Sequence, residues 1–345
     1  MGETVDTILG RSLKAIGNGI DEVRTIVRGF DYLDTTYIEP QHYFFTVMLQ
    51  GSYIYDRYWL YGKEQSVTFM PEGDFRLGPY FGWKWAFAGY MLSLNHNNFD
   101  KKKSEIALSI YTSQIGIDLF YRRTGSDYKL RDANFGEEAR FHSMEGVSFD
   151  GVKAGITGFS LYYIFNHGRF SYPAAFSQST VQKRSCGSWM AGLGYTKNTL
   201  ELDYIKLQQL LDERLAPHRV RLDSTLMFSN MKYHDFYVSC GYAYNWVFAS
   251  RWLFCASGQL ALGYKKSTGE AVGKDTSGFK FENISPNMIG RFGLVYNNMR
   301  WYSGLSFIVH SNNYRRSHFW TNNTFGSMNM YVGYNFGLKK KYRKN

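Results

Sequence analysis

Eight ionisable side chains fall where an alternating chain would turn them towards a shared interior: Arg76, Lys84, Asp118, Arg122, Glu201, Asp203, Arg291 and His310. Such a set supports one of two chemistries. In a narrow interior the charges neutralise one another through ion pairs and hydrogen bonds, because a charge withdrawn from water needs a partner. In a wide interior they line a water-filled path and bias what passes through it. Both readings stay open at this level.

Other chemistries find less support. An acyl hydrolase needs a serine and a histidine within hydrogen-bond reach, with a third group to orient the base. Ser306 and His310 share one strand face, but four residues at ~3.4 Å each place them roughly 13 Å apart. Ser303 lies on the outward face with no histidine beside it. The eight histidines show neither HxH nor HExxH spacing,. Glu201, Asp203, Asp212 and Glu213 gather around a cation only if the strand and the following loop fold back on each other, and solvated charges are the plainer account. The glycines stand singly in strands rather than in a phosphate-binding loop. Cys186, Cys240 and Cys255 are odd in number and lack CxxC spacing, so they suggest small wall residues, not a metal site or a disulfide framework,. No metal, no cofactor and no enzymatic activity are expected, with a barrel acyl hydrolase as the remote alternative.

The elements that must position these residues are strands. The chain has 345 residues, with 28 Tyr, 27 Phe, 8 Trp and 34 Gly against only 6 Pro. From about residue 43 the hydrophobic period is two. Between Phe236 and Phe248, the residues Phe236, Val238, Cys240, Tyr242, Tyr244, Trp246 and Phe248 share a greasy face, and the intervening residues are small, polar or aromatic. The stretches after Trp252, Met288, Trp301 and Met328 repeat this pattern. A wall that is aromatic and apolar on one face and polar on the other suits a closed barrel between lipid and water. The mean hydropathy of −0.37 does not oppose this, because alternation averages to a polar score. No apolar run approaches the ~20 residues that a spanning helix needs.

Residues 4–28 differ. Val5, Ile8, Leu9, Leu13, Ile16, Ile20, Val23 and Val27 recur at helical spacing, which predicts a short amphipathic helix outside the wall,. The expected organisation is therefore a periplasmic N-terminal segment over 1–34, a barrel over 35–338 and a basic tail over 339–345. Solvated loops and the tail Lys339-Lys340-Lys341-Tyr342-Arg343-Lys344 account for the net charge of +11. Attraction to anionic lipid headgroups or lipopolysaccharide is the second account. Nucleic acid is not an expected partner, since no recognition module surrounds the charges. No basic n-region and apolar h-region follow Met1-Gly2-Glu3, so the barrel reading requires that export information lie upstream.

Short turns are expected near Lys84-Trp85, Thr112-Ser113-Gln114, Asn166-His167-Gly168, Lys197-Asn198, Ala249-Ser250 and Asn298-Met299. Long polar connections are expected over 59–74, 96–103, 124–151, 177–187, 208–232, 265–286 and 311–324. Long and short then alternate, as in bacterial barrels with tight periplasmic turns. Seven long connections and six turns make an all-β, transmembrane antiparallel barrel of about fourteen strands, with twelve as the alternative.

Four strings carry a family resemblance: Asp34-Thr35-Thr36-Tyr37-Ile38-Glu39-Pro40, Gly78-Pro79-Tyr80-Phe81-Gly82-Trp83-Lys84-Trp85, Gln182-Lys183-Arg184-Ser185-Cys186-Gly187-Ser188 and Gly241-Tyr242-Ala243-Tyr244-Asn245. Together and in order they resemble domain-of-unknown-function family 4421, outer-membrane barrels of Bacteroidetes, over roughly residues 30–338. The resemblance implies fold and location in a Gram-negative outer membrane, and carries no activity. Three function classes remain. The first is a conduit or binding barrel for a small solute or lipid-like molecule. The second is a structural or assembly barrel docking a periplasmic partner through the helix or the tail. The third is the acyl hydrolase. Outer-membrane lipid, lipopolysaccharide and the barrel assembly machinery are the expected partners.

Overall fold

Period-two segments joined by tight turns fold as consecutive antiparallel hairpins, and that is the architecture of the chain. A computed structural model describes residues 33–71, 73–83, 86–94, 104–124, 128–135, 144–215, 220–271, 279–316 and 319–343. The helix expected over 4–28 and the side chain of Lys84 lie outside them. The strands in chain order are β1 (Ile38–Pro40), β2 (Tyr43–Tyr61), β3 (Ser66–Pro71), β4 (Asp74–Trp83), β5 (Ala86–Gly89), β6 (Leu92–Ser93), β7 (Ser104–Tyr111), β8 (Ile115–Arg123) and β9 (Tyr128–Asn134). They continue as β10 (Ser148–Phe149), β11 (Val152–Ile164), β12 (Thr180–Gln182), β13 (Cys186–Leu202), β14 (Phe228–Ala249), β15 (Trp252–Ala271), β16 (Phe279–Asn297), β17 (Trp301–Arg316) and β18 (Phe319–Leu338). Two helices interrupt them, α1 (Pro173–Phe176) and α2 (Tyr204–Arg214).

The first and last wall strands pair. β18 runs antiparallel to β2 from Trp320↔Tyr61 to Leu338↔Tyr43, which brings Tyr43 and Leu338 to one rim. From β18 the sheet continues through β17, β16, β15, β14, β13, β11, β8 and β7, while β2 also pairs β4, and β4 pairs β5 and β6. Residues 95–103, between β6 and β7, are outside the description. Turns at 112–114, 250–251 and 298–300 share that rim, here called the turn rim. The opposite, loop rim carries the connections β2–β4, β8–β11, β13–β14, β15–β16 and β17–β18.

Burial is inverted relative to a soluble barrel. On β14, Phe236, Val238, Tyr242, Tyr244 and Trp246 face outward and exposed, with Val238 at 67%. Asp235, Tyr237, Ser239, Ala243 and Asn245 point inward and are buried. Leu260 and Leu262 on β15, Met288 on β16, and Met328, Met330 and Val332 on β18 continue the exposed apolar band. An apolar exterior around a polar interior is stable only when lipid replaces water outside. Phe236 to Trp246 spans the 9–11 residues of a tilted transmembrane strand, roughly. β14 has 22 residues, Phe228–Ala249, so about a third of its length, Phe228 to Asp235, projects past the bilayer at the loop rim.

Two expectations are corrected. No turn exists at Lys197-Asn198: β13 continues through both, with Lys197↔His234 and Asn198↔Tyr233 in register. These polar residues mark the membrane boundary, where the outward face turns hydrophilic, and not a chain reversal. The second correction concerns 177–187, which belongs to a long connection at the turn rim that joins β11 to β13 and enters the barrel. Residues 169–176 therefore form no wall strand. Counting β5 and β6 as one broken strand, the described residues make the lower of the two expected numbers of wall strands, twelve.

The band yields a stability expectation. Val238→Arg at mid-wall destabilises the barrel by about 2–4 kcal/mol, and Trp246→Arg near the rim by about 0–1 kcal/mol. Urea-dependent refolding into vesicles measures both.

Candidate functional site

The lumen is filled at three levels. At mid-height an ion pair crosses it: Arg291 Nη2 on β16 donates to Asp118 Oδ2 on β8 at 2.5 Å, with Arg291 fully buried. Four strands separate β8 from β16 around the wall, so this contact joins opposite walls. The Arg291 guanidinium lies 5.0 Å from the centre of the Tyr162 ring. Asp118 Oδ1 also accepts from Ser109 Oγ at 2.6 Å. On the loop side of this pair, Arg122 Nη1 stands 4.0 Å from Asp56 Oδ2 and donates to the Tyr55 carbonyl at 3.3 Å. Asp56 Oδ1 accepts from Asn323 Nδ2 at 2.9 Å. His310 stacks on Phe325 at 5.0 Å with an interplanar angle of 6°, and Phe120 approaches it at 5.7 Å. A third pair, Lys265 Nζ and Asp235 Oδ2 at 3.3 Å, is fully buried. Lys265 also donates to Asn287 Oδ1 at 2.9 Å and to the Asn313 carbonyl.

At the loop rim the strands curl into a lid. β2 pairs β4 along its lower part but β3 from Tyr58 to Tyr61, and β3 pairs β9, which pairs β10. Leu207 and Leu211 of α2 pack under this sheet with Phe69, Tyr128, Leu130 and Leu202. The helix starts there because Asp203 caps it, Oδ1 accepting from the Lys206 N–H at 3.0 Å. Asp223 ties the lid shut: its Oδ2 accepts from the Lys63 N–H at 2.8 Å, and its Oδ1 from the Thr225 N–H at 3.0 Å.

At the turn rim, residues 165–185 form a plug. Tyr172 reaches inward, its hydroxyl 2.7 Å from Ser257 Oγ, and packs with Phe170, Tyr162, Leu253, Cys255 and Val295. Gln178, at φ 52°, donates from Nε2 to the Tyr331 hydroxyl at 2.6 Å. Gly293 lets the plug approach the wall, since a Cβ there would stand 3.3 Å from the Ala175 carbonyl oxygen. Asn245 Nδ2 donates to the Ser171 carbonyl at 2.8 Å and to Gln182 Oε1 at 3.0 Å. Outside, β1 pairs β12 from Ile38↔Gln182 to Pro40↔Thr180, and Arg251 Nη1 meets Glu39 Oε2 at 2.8 Å. Three of the four familiar strings thus converge on this plug. Asp34 opens the clasp: its Oδ1 accepts from the Thr36 hydroxyl at 2.6 Å and the Thr36 N–H at 3.0 Å. These bonds, the hydroxyl first, hold the Asp34 carboxyl below the usual carboxylate range.

The expected interior residues divide. Asp118, Arg122, Arg291 and His310 come together in the lumen. Arg76 also points inward and pairs with Asp74 at 2.7 Å. Glu201 and Asp203 do not: the inward residues at that end of β13 are Leu200 and Leu202, Glu201 is exposed outside, and Asp203 caps α2. The supposed turn at 197–198 had shifted their register, and one residue of slip reverses every face. Asp56, Asp235 and Lys265 were missed. Asp235 lies in phase with Tyr237, and Lys265 with Gln259 and Ser257, so carrying the alternation one step further would have found both. Ser306 Oγ accepts from Asn329 Nδ2 at 3.3 Å and His310 is held between rings. Among the described residues no group of three or more His, Cys, Asp or Glu could hold a metal ion, and none of the helices is long and apolar enough to cross a membrane.

Two outcomes follow. Asp118→Ala strands a buried guanidinium and destabilises the barrel by about 3–5 kcal/mol, whereas Asp118→Ala with Arg291→Met destabilises less than the single change; equilibrium unfolding in detergent measures both. For the clasp, a carboxyl whose folded pKa is depressed contributes stability above its unfolded pKa and loses it as pH falls through the folded one. Asp34→Asn therefore lowers the thermal midpoint at neutral pH, and the gap to the parent protein closes in acid below the usual carboxylate range.

The outer-membrane protease OmpT of Escherichia coli is similar in structure at 6% identity and a TM-score of 0.39, covering 85% of this chain and 97% of its own. The translocator domain of the autotransporter NalP of Neisseria meningitidis scores 0.33 at 9% identity, covering 95% and 98%. The Pseudomonas putida toluene transporter TodX scores 0.24 at 8% identity, covering 85% and 90%. At these values none of them bears on what this chain does. No curated protein matches the sequence. The family profile described as Domain of unknown function (DUF4421) matches residues 32–336, and the chain belongs to that family.

Proposed function

We propose that this protein is a closed barrel of a Gram-negative outer membrane, acting through its rims and not as an open pore. The single observation that carries the reading is the Arg291–Asp118 bridge, buried between an apolar plug and an apolar lid. A permeating ion would have to part that bridge and pass both closures. The turn rim then faces the periplasm and presents exposed cations at Arg169, Lys183, Arg184, Arg300, Lys340, Lys341 and Arg343. The Lys339 ammonium donates to the Gln41 carbonyl at 2.7 Å, and His42 stacks on Tyr342 at 3.9 Å, so the basic tail is fastened to the rim. A fixed basic surface suits an acidic periplasmic partner. The task proposed is therefore structural: a membrane anchor that docks such a partner.

A second reading, binding of a lipid-like molecule, is favoured by a cavity of ≈ 700 Å³ on the outer wall, lined by Val47, Leu49, Pro79, Phe81, Trp301 and Val332. This site would be loaded sideways from the bilayer and needs no open lumen. Planar-bilayer recordings separate a closed barrel from a conduit. The refolded protein inserts without ohmic steps, and Asp118→Ala, which parts the bridge alone, adds none because the plug and lid remain. Regular conductance steps from the unaltered protein would overturn the reading.

A further inference from the structure

The outer wall near the loop rim carries a layered pattern across three strands. Lys197 on β13, His234 on β14 and Lys266 on β15 stand directly opposite one another in register. Lys232 lies one outward position further towards the rim, opposite Thr199 and Thr268. The three lysines are exposed and His234 is half-buried. Glu282, opposite Lys266 on β16, ends the row. Among the described side chains, Lys197 and Lys232 form no ion pair.

One outward step towards mid-wall, Tyr195, Phe236 and Tyr264 make an aromatic row in the same register. One step further lie Leu193, Val238 and Leu262. Successive rows are about 7 Å apart and neighbouring strands about 4.8 Å. Cations stand where phosphates lie, aromatic rings at the headgroup level and aliphatic side chains in hydrocarbon. The Tyr195 hydroxyl and His234 Nδ1 are 2.7 Å apart, which fixes the imidazole and leaves Nε2 to meet a ligand.

We infer that this row is a binding site for a phosphorylated saccharide lipid of the outer leaflet, its phosphates on Lys197, His234, Lys266 and Lys232 and its acyl chains along Leu193, Val238 and Leu262. Three lysines and an imidazole within about 10 Å of one another, two strand spacings, suit a broad headgroup with more than one anionic group better than a single small anion. Here β13, β14 and β15 pair in continuous register, so the cations are presented from strands without a loop to order. The inference rests on the orientation proposed above, with the loop rim at the cell surface.

The test is lipid retention. The protein is purified from outer membranes in mild detergent and its bound lipid quantified by native mass spectrometry, beside a Lys197→Gln/Lys232→Gln/Lys266→Gln variant. All three side chains leave the fold outward, and heat-dependent electrophoretic migration verifies that the variant is folded. The parent protein retains the phosphorylated saccharide lipid and the variant loses it about 100-fold, the effect of three surface cations near anionic lipid. Adding the same lipid after enzymatic dephosphorylation fails to restore it. Equal retention by the variant overturns the site. Displacement by inorganic phosphate, or equal binding of phosphatidylglycerol vesicles, overturns the lipid assignment by revealing a general anion surface. Orientation is read separately, from the surface accessibility on intact cells of a tag in the β17–β18 connection, so its failure is distinguishable from failure of the site.

Discussion

The Arg291–Asp118 contact crosses the lumen from β16 to β8, and much of the structure follows from keeping that contact dry. A wall whose outside is lipid must put its polar side chains inside. Inside, Tyr162, Tyr172, Tyr302 and Tyr331 turn inward and are buried. Each charge must then find its opposite within the protein, because a lone buried charge costs several kcal/mol, roughly. Asp118 meets Arg291, Asp235 meets Lys265, and Asp56 stands by Arg122. The three pairs tie β8 to β16, β14 to β15, and β2 to β8, so neutralising the lumen also braces the wall.

Two apolar clusters keep this polar layer from solvent, and they are built differently. The lid grows out of the wall itself: β2, β13 and β14 run past the bilayer, and β3, β9 and α2 fold over them. The plug is an inserted connection, held inside the barrel by amide side chains, with the Arg169–Asp34 ion pair at its outer edge. Gln182 is the centre of that holding. Its Nε2 donates to the Arg169 carbonyl at 2.7 Å, while its Oε1 accepts from the Ser171 N–H at 2.8 Å and from Asn245 at 3.0 Å. A single side chain thus joins plug, wall and β12. Hydrogen-bonded amides carry no net charge to neutralise, which suits a segment seated beneath an ion-pair layer.

Alternation made the wall legible wherever one face met lipid along the whole strand. The outward set from Phe236 to Phe248 and the shared inward face of Ser306 and His310 are as the residues implied. It became unreadable above the membrane, where the outward face turns polar while the inward face stays apolar under the lid. There Lys197-Asn198 looked like a turn, and β15 seemed to end before Lys265. The plug was opaque for another reason. Ser171, Gln178 and Gln182 resemble loop residues, and their partners, Asn245 for Ser171 and Gln182 and Tyr331 for Gln178, come from strands far away in sequence. The strings that carried the family resemblance did point to the region, since Tyr37–Pro40, Gln182–Ser188 and Asn245 all meet at the turn rim. Of the interior site, Asp118, Arg122, Arg291 and His310 were visible, but which charge faced which was not. Pairing across a lumen depends on strand number and stagger, which local sequence does not encode.

Cys255 offers the most direct test of a closed lumen, because it points inward beneath the plug and is fully buried. In a Cys186→Ser/Cys240→Ser background it is the protein's one thiol. A small, charged, water-soluble methanethiosulfonate reagent is applied to the folded protein in vesicles, and modification is followed by mass. Cys255 should stay unmodified for as long as the barrel is folded and react completely once it is unfolded. Rapid modification of the folded barrel would show that water reaches beneath the plug, and would contradict the closed lumen on which the account rests.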